Sequence, residues 1–288
     1  MKNYSLLVKS KINKFDKTIK IPGDKSLSIR ALMLASQCIG ISQINNLLES
    51  EDVLNCKKIL EKLGVKITKK KETYNVYGNG LGSFKTEKKI TKIYVGNSGT
   101  TARLLSGLLA TFPGKFYLHG DSSMNQRDMS RISKHLEKIG CCFYPKNKTT
   151  LPIIIEGTTM PLAQTHIEDL GSAQVKSSIL LAALNTPGKT SLVEKKISRN
   201  HTENFLKKIG ANIKIKKIKT GNLITLEGQK NLFSFKSSIS SDPSSTAFFI
   251  ALTLLTPGSK LLIKNVNCNP TRIGFINILK KQMNAKII

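Results

Sequence analysis

Four short polar segments each stand immediately before a run of apolar residues at helical spacing. Gly23-Asp24-Lys25-Ser26 precedes Ile29 to Ala35, and Gly96-Asn97-Ser98-Gly99-Thr100-Thr101 precedes Ala102 to Leu109. Gly171-Ser172-Ala173-Gln174 precedes Val175 to Leu184, and Ser240-Ser241-Asp242-Pro243-Ser244-Ser245 precedes Thr246 to Leu255. Ser, Thr, Asp and Asn are the residues that cap helix N-termini. The same termini offer unpaired N–H groups and the positive end of the helix dipole, and glycine lets a phosphate or carboxylate come close. Ordinary capping accounts for any one segment; four in one chain point to several anion sites.

Side chains add to the first of these. Ser26 and Arg30 are four residues apart and share a helix face, with Lys25 at the mouth, so a hydroxyl, a point charge and a guanidinium fork can converge on an anion. Asp24 separates Gly23 from Lys25 and no upstream glycine is present, which disfavours a Walker A loop. Arg127, in Gly120-Asp121-Ser122-Ser123-Met124-Asn125-Gln126-Arg127, can supply a second guanidinium from a loop. Asp242 before Pro243 reads as a helix cap.

The elements that must position these groups are α/β in class. Apolar residues at helical spacing mark the four runs above, while Thr73 to Tyr77 and Leu151 to Ile155 read as extended. A repeat orders them. Leu60-Glu61-Lys62-Leu63-Gly64 recurs as Leu136-Glu137-Lys138-Ile139-Gly140 and as Leu206-Lys207-Lys208-Ile209-Gly210, each reading as a last helical turn, a C′ glycine and the start of a strand. The period is about 73 residues. A fainter fourth copy falls at Leu279 to Ile287, with Asn284 at the glycine position.

Composition excludes other classes. With 40% hydrophobic residues, 20 Gly and 9 Pro in 288 residues, the chain is neither disordered nor fibrous. No apolar stretch approaches the roughly 20 residues of a membrane span. Met1 to Lys9 carries no signal-peptide pattern, which reads as cytoplasmic. The net charge of +28 is dispersed lysine in short clusters such as Lys69-Lys70-Lys71, Lys88-Lys89 and Lys216-Lys217, a solvated surface without the arm or aromatic pattern of a specific nucleic-acid reader. Five cysteines without a C-x-x-C pair and four histidines without metal-ligand spacing give no metal site and no disulfide framework.

Five segments together carry a resemblance. Pro22 to Leu32, Gly96 to Leu104, Ser172 to Ser177, Ser198-Arg199-Asn200-His201-Thr202-Glu203 and Asp242 to Phe248, extended by Asn269-Pro270-Thr271-Arg272, are similar in text and order to the signature segments of the 5-enolpyruvylshikimate-3-phosphate synthase family. The resemblance covers nearly the whole chain. It implies a two-domain enolpyruvyl transferase fold of repeated βαβαββ units, with residues 21–238 as one complete domain of three units and residues 1–20 and 239–288 as part of a second. It implies transfer of the enolpyruvyl group of phosphoenolpyruvate to the 5-hydroxyl of shikimate 3-phosphate, with release of phosphate, in the shikimate pathway to aromatic amino acids. No cofactor and no metal is expected.

By matching segments, Lys25, Ser26 and Arg30 would hold shikimate 3-phosphate, assisted by Ser172, Ala173, Gln174 and Ser198. Lys25, Gly99, Arg127 and Gln174 would hold phosphoenolpyruvate. Asp242 would accept the proton of the attacking hydroxyl, and Lys25 would stabilise charge. Departures from the family text are Asp128 where Pro usually follows the arginine, Ser241 where Gly usually precedes the aspartate, and a C-terminal segment with a Lys-Glu pair and further arginines that does not occur before Ile288. The alternative is therefore an inactive or split-enzyme chain that binds shikimate 3-phosphate without catalysis, possessing or needing a complementing C-terminal fragment. The sister transferase acting on UDP-N-acetylglucosamine is disfavoured, because Asp121 to Gln126 holds no cysteine.

Overall fold

The computed structural model describes residues 5, 7, 9–87 and 89–288. Most of the Met1 to Lys9 segment, and Lys88 of the Lys88-Lys89 cluster, lie outside the described residues. The chain divides into one unit of residues 23–239 and a smaller unit built from residues 1–22 and 240–288.

The elements run in order from β1 (Asp16–Lys20) through α1 (Lys25–Gln37), β2 (Ile39–Asn45), α2 (Glu51–Lys62), β3 (Lys66–Lys70) and β4 (Thr73–Asn79). They continue with β5 (Thr91–Tyr94), α3 (Gly99–Ala110), β6 (Gly114–His119), α4 (Ser130–Leu136), β7 (Cys142–Tyr144) and β8 (Ile153–Gly157). Next come β9 (Thr165–Glu168), α5 (Ala173–Leu184), β10 (Lys189–Glu194), α6 (His201–Lys208), β11 (Asn212–Ile218) and β12 (Gly221–Glu227). The last are β13 (Lys236–Ser238), α7 (Pro243–Leu254), β14 (Lys260–Lys264) and α8 (Gly274–Gln282).

The larger unit holds three four-stranded sheets of one topology, ordered β5-β6-β8-β7, β9-β10-β12-β11 and β13-β2-β4-β3. In each the first pair is parallel and the other two are antiparallel. A parallel pair needs a crossover connection: α3 joins β5 to β6 and α5 joins β9 to β10, while α1 precedes β2 in the corresponding place without joining it to β13. The third sheet is completed by a strand from the far end of the unit: β13 pairs with β2, with Lys236 opposite Gln43, and fills the position that β5 and β9 hold in the other sheets. The cycle of three repeats is thereby closed.

Crossover helices α1, α3 and α5 are buried on nearly every side, from Ser28 to Gln37, through most of Gly99 to Ala110, and from Val175 to Leu184. A helix apolar all round belongs in a core, and each fully buried Leu or Ile contributes about 1.5–3 kcal/mol. The second helices α2 and α6 instead carry charged outer faces. Close approach of α3 to α5 depends on Gly107, where a Cβ would stand 2.2 Å from the Ser178 carbonyl oxygen.

The repeated helix ends take the form their text implies. Gly64, Gly140 and Gly210 have φ of 88°, 110° and 86°, the left-handed region open to glycine, and Asn284 at the fourth copy has φ of 48°. The second copy ends in a 3-10 turn, Glu137–Ile139, rather than an α-helical one.

In the smaller unit β1 and β14 pair in parallel, with Asp16 opposite Lys260, and α7 is the crossover. Its order β1-α7-β14-α8 is the first part of the same repeat. Ser241, fully buried, donates its hydroxyl to Ile21 O at 2.6 Å, so a side chain at this position is accommodated by a hydrogen bond where the family text has glycine.

Candidate functional site

Each crossover helix of the larger unit begins with a side-chain cap. Asp24 accepts from the Leu27 amide at 2.9 Å, Ser98 from Thr101 at 3.2 Å and Ser172 from Val175 at 3.3 Å. A pocket of about 290 Å³ opens at these termini, lined by Lys25, Asp52, Asn97, Gly99, Thr100, Arg127 and Gln174. Lys25 is the first residue of α1, Gly99 the first of α3 and Gln174 the second of α5. Three positive dipole ends, an ammonium and a guanidinium thus face one cavity, an arrangement that selects anions.

Arg127 follows a 3-10 turn, Met124–Gln126, and is aimed by its neighbours. Its Nη2 donates to Asn97 Oδ1, while Asn97 Nδ2 donates to Asp121 Oδ2 at 2.8 Å. Asp121 also accepts from the Met124 amide at 2.7 Å. That backbone bond, followed by Asn97 and the charge of Arg127, holds the Asp121 carboxyl below its ordinary range. Gly99 leaves the space Arg127 occupies, for a Cβ there would lie 3.2 Å from Arg127 Nη1. Asp128 leaves this placement intact: its carboxylate accepts from the Ser130 amide at 3.0 Å, and its carbonyl accepts from Arg103 Nη2 at 3.0 Å.

Gln174 ties two helix starts together. Its Nε2 donates to Thr100 Oγ1 at 3.1 Å and its Oε1 accepts from Arg103 Nη1. Burial, then the like charges of Arg127 and Arg131, lower the Arg103 guanidinium, with Asp128 acting against them.

Among the residues singled out from sequence, Lys25, Gly99, Arg127 and Gln174 share this pocket. Arg30 is placed differently. Its guanidinium is buried, with Nε donating to Thr202 Oγ1 at 2.8 Å, Nη2 to Ser177 Oγ at 3.0 Å and Nη1 to the Ser26 carbonyl at 3.1 Å. Burial lowers it to about 10, while Asp24 and Glu203 act to hold it charged. Ser26 is half-buried on the same turn, Ser172 spends its oxygen as the α5 cap and Ala173 is the first residue of that helix. Ser198 turns its hydroxyl to Glu194 Oε1 at 2.6 Å.

Asp242 belongs to the smaller unit. It caps α7, its Oδ1 accepting from the Ser244 amide at 2.8 Å, with Pro243 at the first helical position. Arg272 Nη2 donates to the same Oδ1 at 3.0 Å and to Ser244 Oγ at 2.9 Å. The match at Asn269 to Arg272 therefore has a physical partner in the matched aspartate.

Sequence reasoning did not assign Asp52, Asn97, Thr100 or Arg103. Asn97 and Thr100 stand inside a segment read only for its glycines and caps. Asp52, in the first turn of α2, has the form of a residue placed there for the helix dipole alone.

The family model described as EPSP synthase (3-phosphoshikimate 1-carboxyvinyltransferase) matches residues 9–288. A protein of Roseobacter denitrificans named 3-phosphoshikimate 1-carboxyvinyltransferase is 38% identical over 263 residues, covering 91% of this chain and 58% of the relative. One of the same name from Afipia carboxidovorans is 39% identical over 271 residues, covering 93% and 60%. The structure of EPSP synthase from Acinetobacter baumannii superposes with a TM-score of 0.85 at 37% identity, covering 96% of this chain and 61% of that one. The chain thus spans about three fifths of the length of the relatives it matches. No helix among the described residues is long and apolar enough to cross a membrane.

Proposed function

The chain belongs to the EPSP synthase (3-phosphoshikimate 1-carboxyvinyltransferase) family, and from that premise we propose that it carries the enolpyruvyl group of phosphoenolpyruvate to the 5-hydroxyl of shikimate 3-phosphate. The observation that carries the reading is the pocket where Lys25 and Arg127 meet three helix N-termini. Both substrates are phosphorylated carboxylates, and this cavity offers what such anions need without surface charge having to supply it.

In this reading Lys25, Arg127, Gly99 and Gln174 hold phosphoenolpyruvate. Lys25, Ser26, Arg30, Ser172, Ala173, Gln174 and Ser198 hold shikimate 3-phosphate. The 5-hydroxyl oxygen adds to C2 of phosphoenolpyruvate as C3 gains a proton, giving a tetrahedral adduct. Asp242, whose Oδ1 lies 3.0 Å from Arg272 Nη2, accepts the hydroxyl proton. Loss of a proton from C3 and of inorganic phosphate from C2 then restores the C2–C3 double bond and leaves the enol ether. Lys25 stabilises negative charge on the transferred group. In the same proposal residues 21–238 are one complete domain of the fold, which the closed cycle of three sheets supports, and residues 1–20 with 239–288 are part of the other. The cytoplasm is the proposed setting, since both substrates are multiply charged and do not cross membranes unaided.

The test is phosphate release by the purified 288-residue chain given both substrates, with Asp242→Ala alongside. Turnover abolished by the substitution is expected. Binding of shikimate 3-phosphate with no phosphate release would overturn the catalytic part and leave the binding part.

A further inference from the structure

Lys176 lies within α5 and is completely buried, a place an ammonium group takes only when paired. Its Nζ is 2.6 Å from Glu194 Oε1 and 2.7 Å from Glu203 Oε1, and both carboxylates are buried with it. Glu194 ends β10 and Glu203 lies in the first turn of α6, so the triad joins three elements. Glu194 is then used again. Its Oε1 accepts the Ser198 amide at 2.9 Å and the Ser198 hydroxyl at 2.6 Å, and its Oε2 accepts Asn222 Nδ2 at 3.3 Å.

Adjacent residues extend the network towards α1. Ser177 follows Lys176 on α5, Thr202 precedes Glu203 on α6, and their hydroxyls are 2.7 Å apart. Both accept from the Arg30 guanidinium. Filling a core with one cation and two carboxylates stabilises a fold less well than apolar residues of the same volume, so stability is a poor explanation for the triad. Direction is a better one. Two donors from one residue converge on a single oxygen of Glu194, and a carboxylate accepts them about twice as strongly when ionised as a neutral group would.

We propose that Lys176 is a positioning residue for the phosphorylated substrate: through Glu194 it fixes Ser198 and the segment entering α6, and through the Ser177–Thr202 pair it fixes the seat of Arg30. The inference rests on the functional reading above, in which Ser198 and Arg30 hold shikimate 3-phosphate. Ser198 has one hydroxyl proton, which here goes to Glu194; the arriving phosphate takes it over while the amide bond keeps the segment in place. The carboxyl directions agree with this. Burial acts to raise Glu194, and hydrogen bonds from Lys176 and Ser198 overcome it and leave the group below its ordinary range. Burial raises Glu203 despite Lys176, so of the two acids Glu194 is the one whose ionised form the network favours more.

The experiment measures shikimate 3-phosphate binding by calorimetry and Ser198 amide exchange by NMR on the full chain, K176M and the charge-free K176M/E194Q/E203Q. For K176M the expected results are a Kd raised about tenfold and faster Ser198 exchange. Inorganic phosphate at the Lys25–Arg127 pocket should bind as before. The triple variant guards against simple misfolding: its thermal midpoint should return close to that of the unaltered chain while Kd stays raised. Recovery of Kd together with the midpoint would overturn the proposal and leave a structural role. Unchanged Kd and exchange in K176M would also overturn it. Absence of binding by the unaltered chain would overturn the substrate reading, and this inference with it, whatever Ser198 exchange showed.

Discussion

Lys25 Nζ lies 2.8 Å from Asp52 Oδ2, so the ammonium at the start of α1 is held by an acid at the start of α2 on the wall of the same pocket. The lysine side chain is 47% exposed and the aspartate 19%. A pair this open is worth at most about 1 kcal/mol, a contact that a phosphate dianion can outcompete.

Asp52→Asn removes a negative charge from an anion pocket and releases Lys25. Calorimetry with inorganic phosphate should show affinity tightened roughly threefold, with the thermal midpoint little changed. Lys25→Met should weaken the same binding more than about tenfold. Weaker binding in Asp52→Asn would mean that the acid places the lysine rather than competing for it.

Gly99→Ala puts a methyl 3.2 Å from Arg127 Nη1, so the guanidinium must give way by a few tenths of an ångström beside its Asn97 partner. If the chain carries out the proposed reaction, the KM for phosphoenolpyruvate should rise several-fold as the Arg127 guanidinium is displaced. The KM for shikimate 3-phosphate and the melting temperature should stay near their starting values. Equal rises in both KM values would show instead that the start of α3 had been disturbed as a whole.

Capping and the proposed proton acceptance by Asp242 can be separated. Asp242→Asn keeps an acceptor for the Ser244 amide but loses the charge that faces Arg272, whereas Asp242→Ala loses both. Loss of the cap costs about 1 kcal/mol, so thermal melting should fall further for the alanine than for the asparagine variant. Phosphate release should vanish in both. Full activity in Asp242→Asn would remove this residue as the proton acceptor.

His135 and His166 stack edge to face with ring centroids 5.5 Å apart, both buried, and burial lowers each to about 4. Lys134 and Lys138 push His135 in the same direction and Asp169 opposes them, while His135 and Lys138 add to the effect at His166. Both rings fold neutral, and the unfolded chain binds protons from near pH 6.5 downward. Between about pH 6.5 and 4 the unfolded state therefore holds more protons than the folded one, and stability falls as pH falls. Urea unfolding at pH 7 and pH 5 should show a loss of about 2 kcal/mol for each ring, about 4 kcal/mol for the pair. His166→Phe should flatten that dependence; a slope identical to that of the unaltered chain would place the titration elsewhere.

The alternation of polar helix starts and apolar runs, the period of about 73 residues and the left-handed helix ends are legible in the text because they depend on residues close together in the chain. Capping and C′ geometry are local, so Asp24, Ser98, Ser172 and Asp242 could be read as helix starts without knowing what lay beside them. What α1, α3 and α5 meet is not local. Gly107 brings α3 against α5 at Ser178, and this packing sets Gln174 on Thr100 and Arg103. The closing of the β2-β4-β3 sheet by β13 rests on a pairing between Gln43 and Lys236 that no periodicity announces.

Side-chain direction was likewise decided by packing. Arg30 and Ser26 share a helix face in the text, but the hydroxyls of Ser177 and Thr202 draw that guanidinium into the interior. Asp52, which looks like a dipole acid, meets Lys25. Lys176 reads as an ordinary helix lysine, and only the approach of β10 and α6 reveals that its charge is enclosed. The sequence by itself determined which residues could cap, donate or carry charge, since those are properties of residue type and neighbours. Tertiary structure decided which of them share a cavity and which are spent on one another, because burial and partners belong to the packed fold.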